Sequence, residues 1–253
     1  MLQITGVLII FIFWNIFLNL KQIQIAIYSL FLTNKFGFKL NKALVNADKK
    51  KLRLEYAVSL LSKLNIEIVV SSLDKVDPDG QYLLLSNHRS IIDPCVIEMA
   101  LSGTDIFGLW VAKKELYNSF FFGKFVRNGG TVLLDRGSNK MSQFFKDIKQ
   151  GLSNGASVFI FPEGTRNVQE GIDLTEFKKG TQLIAIKNKL PILPVYIKTN
   201  SNTVLKTAIK KREKNLRIEV EFGNVIDYKD RSMDLEQAYR KMMEKEILVD
   251  SPT

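Results

Sequence analysis

The chain has 253 residues, 46% of them apolar, enough to bury one sizeable core. Its 36 basic residues against 26 acidic ones give a formal charge of +10, which favours an anionic partner: nucleic acid, a phosphorylated substrate, an acidic protein or an acidic lipid surface. One cysteine, Cys95, excludes an internal disulfide, and one histidine, His88, leaves too few ligands for a zinc site of the His/Cys type.

Residues 1–20 are almost wholly apolar, with no charge before Lys21, and a second apolar segment runs from Ile23 to Leu32. The first is long enough to span a bilayer, which takes about 20 residues. Its aromatic and aliphatic side chains lie on every side, unlike a one-faced core helix. It lacks the basic start and small-residue cleavage site of a signal peptide. The expectation is a helical membrane anchor over residues 1–37, either a span or a hairpin lying in one leaflet. Lys35, Lys39, Lys42, Lys49, Lys50, Lys51 and Arg53 would face acidic headgroups in either topology, and in a span they would keep the following chain cytoplasmic.

Residues 38–253 read as a single α/β domain. Leu40, Leu44, Ala47, Leu54, Val58, Leu61 and Leu64 fall at helical spacing from Phe38 to Leu64. Ile66–Val70 reads as a strand, Asp77–Gly80 as a turn, and Tyr82–Ser86 as a buried strand. A short helix is expected from Pro94 to Leu101, and a strand over Phe107–Val111 ending at Lys113. Phe120–Phe125 is unusually aromatic, as in a packed loop or a surface that meets lipid. Thr131–Leu134 is a strand leading to Asp135-Arg136. Met141, Phe144, Phe145, Ile148 and Leu152 then mark a helix.

Ser157–Phe161 is a further buried strand, followed by a helix opened by the capping box Asp173…Glu176, with Lys178-Lys179-Gly180 in its first turns. Leu190–Ile197 is a strand whose prolines suggest an entrance or an edge. A basic run from Lys206 to Arg217 precedes the strand Leu216–Phe222, and Leu235, Ala238, Tyr239 and Met242 close the chain as a surface helix. Alternating strands and helices predict an α/β sheet covered by helices on both faces.

Three of these strands stop at polar clusters: Asn87-His88 with Asp93, Asp135-Arg136, and Glu163-Gly164-Thr165-Arg166. Sites in α/β sheets assemble at strand ends. Histidine takes and gives a proton near neutrality, and an aspartate on Nδ1 would leave Nε2 as a base. Asp93 ahead of Pro94 is also a plain helix start. Arg136 and Arg166 carry forks suited to phosphate oxygens, and Lys113 adds a point charge. Such a base and clamp, without a nucleophile elbow or a metal site, suggest base-assisted attack by a substrate hydroxyl; the apolar N-terminus suggests a lipid.

Four ordered blocks between Tyr82 and Ile197 resemble the glycerolipid acyltransferases: Asn87-His88-x-x-x-x-Asp93, Gly130–Arg136, Phe161-Pro162-Glu163-Gly164-Thr165-Arg166 and Leu190–Val195. Lys113-Lys114-Glu115-Leu116 and Phe122-Gly123 look like the connecting segment of that family, whereas Thr131 and Leu133-Leu134 depart from its usual residues. The resemblance implies that His88, held by Asp93, deprotonates the free hydroxyl of lysophosphatidic acid, which attacks an acyl carrier protein or coenzyme A thioester. It implies that Arg136, Arg166 and Lys113 hold the phosphate while Glu163, Gly164 and Thr165 shape the glycerol site. The fold it implies is a mixed α/β sheet covered by helices, and it implies no cofactor, metal or nucleic acid. The expected setting is a membrane, with the catalytic domain on the cytoplasmic face, at the inner membrane if the source is bacterial. An acyltransferase for another lysolipid, a non-catalytic lipid-binding adaptor and a Cys95–His88 hydrolase are the competing readings.

Overall fold

Leu83 and Leu85 face one side of their strand and Leu84 the other, and all three are completely buried. A strand covered on both faces belongs in the middle of a sheet with helices on each side. The computed structural model describes residues 20–135, 140–169, 174–210, 215–230, 232 and 234–247, and these form a seven-stranded sheet. Its strands are β1 (Ile66–Ser71), β2 (Leu83–Ser86), β3 (Gly108–Lys113), β4 (Thr131–Leu134), β5 (Ser157–Ile160), β6 (Ile192–Ile197) and β7 (Leu216–Phe222), in the order β1-β7-β6-β2-β5-β3-β4. β6, β2, β5, β3 and β4 run parallel, whereas β7 is antiparallel to β6 and parallel to β1. The sheet is therefore mixed, because β7 runs against β6 in an otherwise parallel arrangement.

Helices α1 (Leu20–Leu40), α2 (Asn46–Lys63), α3 (Asp93–Ala100) and α8 (Ser201–Lys210) cover the face that receives Leu84. The opposite face carries α6 (Met141–Ser153), α7 (Gly180–Asn188) and α9 (Leu235–Ile247), through Phe144, Ile148, Ile184, Leu235 and Tyr239. Two short helices, α4 (Lys114–Tyr117) and α5 (Gly123–Asn128), bridge β3 and β4. The aromatic Phe120–Phe125 segment thus divides into an exposed tip, Phe120, and the start of α5.

The helix expected from Phe38 to Leu64 is two helices. α1 continues to Leu40, and the chain turns through extended Val45 before α2 begins. Leu44 keeps the helical spacing yet is 91% exposed, so periodicity ran through a break. The reversal lets α1 and α2 share one core, with Phe36 edge-on to Tyr56 at 5.8 Å and the Thr33 hydroxyl 3.0 Å from that of Tyr56. The uncharged stretch 1–19 lies outside the described residues. Among the described residues no helix is long and apolar enough to cross a membrane.

Three further elements differ from expectation. Asp173 is outside the described residues, and Leu174–Lys178 is irregular, so α7 starts only at Gly180. The backbone there is bonded elsewhere: Thr175 N donates to Glu163, Phe177 N to Glu236, and Lys178 N to Pro162 O. Those bonds replace the ladder of a helical turn. The basic run begins inside α8, whose Val204 and Ala208 are buried; Lys211, Arg212 and Lys214 lie outside the described residues.

β6, finally, is no edge strand, since β2 and β7 flank it. Pro194 fits because β6 takes three steps from Ile192 to Val195 while its antiparallel partner takes four, from Ile226 to Phe222. This bulge needs no N–H from Pro194, whose carbonyl accepts from Gly223 N.

Close strand contact makes Gly108 a sensitive position. A Cβ there would lie 2.2 Å from a ring carbon of Phe159, itself buried and edge-on to Trp110 at 5.2 Å. Gly108→Ala is expected to destabilise the fold by about 1–3 kcal/mol, the range for overpacking a close-packed core. Urea unfolding should show this as a lower midpoint with an unchanged slope.

Candidate active site

Because β6, β2, β5, β3 and β4 are parallel, their C-terminal ends share one edge of the sheet. Asn87 and His88 leave β2 there, Phe161–Asn167 leave β5, Lys113 ends β3, Asp135 follows β4, and Ser201 starts α8 after β6. Asn87 extends the strand pattern with its side chain. Its Oδ1 accepts from Ile197 N at 2.9 Å, and its Nδ2 donates to Ile197 O at 3.0 Å. The Tyr239 hydroxyl donates to Val195 O at 2.6 Å and accepts from Asn87 N at 3.1 Å. Burial pushes the Tyr239 phenol well above its ordinary pKa, so it keeps that proton.

His88 Nδ1 lies 2.8 Å from Asp93 Oδ2. Asp93 is completely buried, and an isolated buried carboxylate would cost several kcal/mol. Here the backbone N–H groups of Arg89 and Ser90 each donate to Oδ2 at 2.7 Å, and the Ser201 hydroxyl donates to Oδ1 at 2.5 Å. Asp93 is the first residue of α3, so its charge also meets the positive end of that helix. It does not cap the helix: its side chain reaches back to the two residues after His88. With the carboxylate as acceptor, His88 Nδ1 carries the proton and Nε2 is left to accept one. The imidazole is stacked on Phe161 at 4.0 Å and 11°, and the side chain keeps 17% exposure.

The loop after β5 holds the histidine's main chain from both sides. His88 N donates to Glu163 Oε1 at 2.7 Å, and Asn167 N donates to His88 O at 2.6 Å. Glu163 Oε2 accepts from Thr175 N at 2.9 Å and from the Thr175 hydroxyl. Gly164 turns this loop at φ +70°, a left-handed conformation that glycine adopts without steric cost, and its N–H bonds Phe161 O at 2.9 Å.

The expected residues separate accordingly. His88 and Asp93 come together as a dyad. Glu163, expected to shape a glycerol site, is buried with both oxygens committed to protein donors, so it supports the His88 loop instead. Gly164 is half-buried, and Thr165, Arg166 and Lys113 are exposed at the strand-end edge. Arg166 and Lys113 have no ion-pair partner among the described residues, and their charges face solvent. Arg136 lies outside the described residues. Its neighbour Asp135 is paired with Lys140 at 2.6 Å. Cys95 is buried in α3, where desolvation pushes its thiol up to about 12, so it is no nucleophile for His88. Ser201, Tyr239 and Thr175 join the site from other segments and Asn167 from the end of the loop after β5, and no local motif marked them.

The family model described as Acyltransferase matches residues 67–198, which contain every one of these strand-end clusters. A Helicobacter pylori protein named 1-acyl-sn-glycerol-3-phosphate acyltransferase is 35% identical over 119 residues, covering 47% of this chain and 48% of that protein. A Streptococcus pneumoniae protein of the same name is 29% identical over 174 residues, covering 68% of this chain and 61% of the relative. The chain thus spans between about half and three-fifths of the length of these two curated relatives. The crystal structure of the 1-acyl-sn-glycerophosphate acyltransferase PlsC from Thermotoga maritima superposes with a TM-score of 0.66. At 22% identity over 92% of this chain and 95% of that one, it shares the fold.

Glu163→Gln tests the inward role of this carboxylate. An amide NH₂ would face a backbone donor, leaving one buried N–H unpaired at about 1–3 kcal/mol. Thermal unfolding should move to lower temperature; unchanged stability with a raised KM for substrate would instead return Glu163 to the ligand.

Proposed function

The chain belongs to the acyltransferase family, and from that premise we propose that it moves an acyl chain from a thioester to the sn-2 hydroxyl of 1-acyl-sn-glycerol-3-phosphate, giving phosphatidic acid and a free thiol. The observation that carries this reading is the His88–Asp93 dyad, which holds a base with no protein nucleophile beside it in the dyad: Cys95 is buried and protonated, and Ser201 donates to Asp93. His88 Nε2 takes the proton of the lysolipid hydroxyl as its oxygen attacks the thioester carbonyl. The tetrahedral intermediate collapses, the C–S bond breaks, and the imidazolium returns the proton to the departing sulfur. Asp93 orients the ring and stabilises its charged form. Arg166 and Lys113, joined by Arg136, supply cations for the phosphate. The donor is an acyl carrier protein or coenzyme A thioester, and the reaction requires no metal or cofactor.

What supports a membrane setting for the substrate is α1. Ile27, Phe31, Lys35 and Phe38 lie at i, i+4, i+8 and i+11, so this exposed face alternates apolar groups with a cation; Phe31 is 65% exposed. Leu44 and Phe120 add exposed apolar tips, and Lys39 and Lys42 add charge. Such a face suits the headgroup boundary of an acidic leaflet, with the catalytic domain on the cytoplasmic side.

Two measurements test these readings. Purified full-length protein would be given lysophosphatidic acid with coenzyme A and acyl carrier protein thioesters, and the product followed by mass spectrometry. His88→Ala should lower turnover by about two to four powers of ten. Arg166→Ala should raise the KM for lysophosphatidic acid by about one to two powers of ten, with little change for the thioester. An equal penalty on a neutral acceptor would favour a different lysolipid. For the surface, Ile27→Asp/Phe31→Asp should weaken flotation with acidic vesicles by about tenfold or more, given about 1.5–3 kcal/mol per apolar side chain. Unchanged flotation would move the attachment to another part of the chain.

A further inference from the structure

The bond to Asp93 sets where His88 Nδ1 points but not how the imidazole is rotated about that bond. A single hydrogen bond has a broad angular well. Base catalysis requires more, because a small misplacement of reacting atoms can cost powers of ten in rate. The missing restraint is an aromatic stack. Phe161 lies parallel to His88 at 4.0 Å and 11°, and Trp110 lies against Phe161 at 5.0 Å and 24°.

The stack is tied down at its far end. Trp110 Nε1 donates to Glu98 Oε1 at 2.9 Å, and the same oxygen accepts from Arg53 Nε at 3.0 Å and from Arg53 Nη2. Arg53 is buried, and its Nη1 donates to the carbonyls of Gly108 at 2.7 Å and Gly129 at 3.0 Å. Its guanidinium carbon also lies 4.7 Å from the Phe107 ring centroid. A buried ion pair of this kind is costly to desolvate and gives little net stability, but it fixes geometry when its donors are satisfied. Glu98 comes from α3, the helix that opens with Asp93, and Arg53 comes from α2.

We propose that Phe161 and Trp110 are positioning residues that set the ring plane of His88, with the Arg53–Glu98 pair as their anchor. This rests on His88 acting as the base of the acyl transfer. The Asp93 bond and the stack constrain the imidazole from two directions, and both lead back to α3. The exposed 17% of the side chain is what remains for the acceptor hydroxyl.

The test uses the full chain and the fact that His88 is its only histidine, so ¹⁵N-histidine labelling gives one imidazole to observe. Phe161→Leu keeps an apolar side chain but removes the ring. It should lower kcat by about ten- to a hundredfold with both KM values within about twofold, the pattern of an interaction that serves the transition state. The His88 ring signals should broaden or divide as the ring samples several planes. Phe161→Tyr should restore most of the rate. Trp110→Phe, which removes the Nε1 donor but keeps an aromatic ring, should give a smaller fall in the same direction and serves if Phe161→Leu does not fold. Normal kcat in folded Phe161→Leu, or a loss confined to KM, would overturn the proposal, as would sharp, unshifted ring signals. The imidazole spectrum needs no substrate. Wild-type protein that acylates no lysolipid would sink the functional reading, while ring signals that still respond to Phe161→Leu would keep the positioning role.

Discussion

The carboxylate of Asp93 is the constraint on which the active edge of this molecule depends. It is completely buried from bulk solvent, and its charge is met by protein donors. Two come from the peptide groups after His88, one from the imidazole, and one from Ser201 on α8. Meeting that demand folds the His88–Ser90 segment around the start of α3 and draws β6 and α8 to the same place. A group that would be a liability alone thereby becomes the point from which the base is aimed.

The other restraints on His88 serve the same end. Its backbone N–H and C=O are held by Glu163 and Asn167 from the loop after β5, and its ring by Phe161 at the head of that loop. Adjacent parallel strands put these loops side by side, β2 next to β5, without any proximity in sequence. Glu163 is therefore understood through the strand order. Its carboxylate braces the loop that carries the histidine, and Thr165 and Arg166 beyond it turn outward toward solvent.

Rigidity at the strand ends contrasts with the exposed apolar face of α1. That helix is joined to the core through Phe36, Leu40 and the Thr33–Tyr56 contact, while Ile27, Phe31 and Phe38 remain outside. α2, which packs against it, also contributes Arg53 to the anchor of the aromatic stack. α1, the helix proposed to meet the membrane, is in this way joined through α2 to the network behind the histidine.

Much of this was legible along the chain. Strands β4 and β7 lie where their apolar runs placed them, and the other strands within a few residues, because a buried strand leaves a local signature of its own. The His88–Asp93 pair and the Arg166 cluster were visible because the chemistry requires those side chains at short, ordered spacings. The break between α1 and α2 was hidden because Leu44 preserves the helical period at an exposed turn. The helix expected at Asp173 was displaced because Glu163, Glu236 and Pro162 take the N–H groups of the segment before α7. The prolines of β6 were read as marks of an entrance or an edge: Pro191 stands just before the strand, and the bulge opposite Pro194 admits proline beside β2. The inward role of Glu163, the Ser201 hydroxyl on Asp93 and the Trp110–Phe161–His88 stack had no sequence signal at all. Each depends on which strands are neighbours, and that order is decided by packing between distant segments. The sequence determined the reactive groups and the elements that carry them; the tertiary structure decided their aim, because orientation is set by contacts across the sheet.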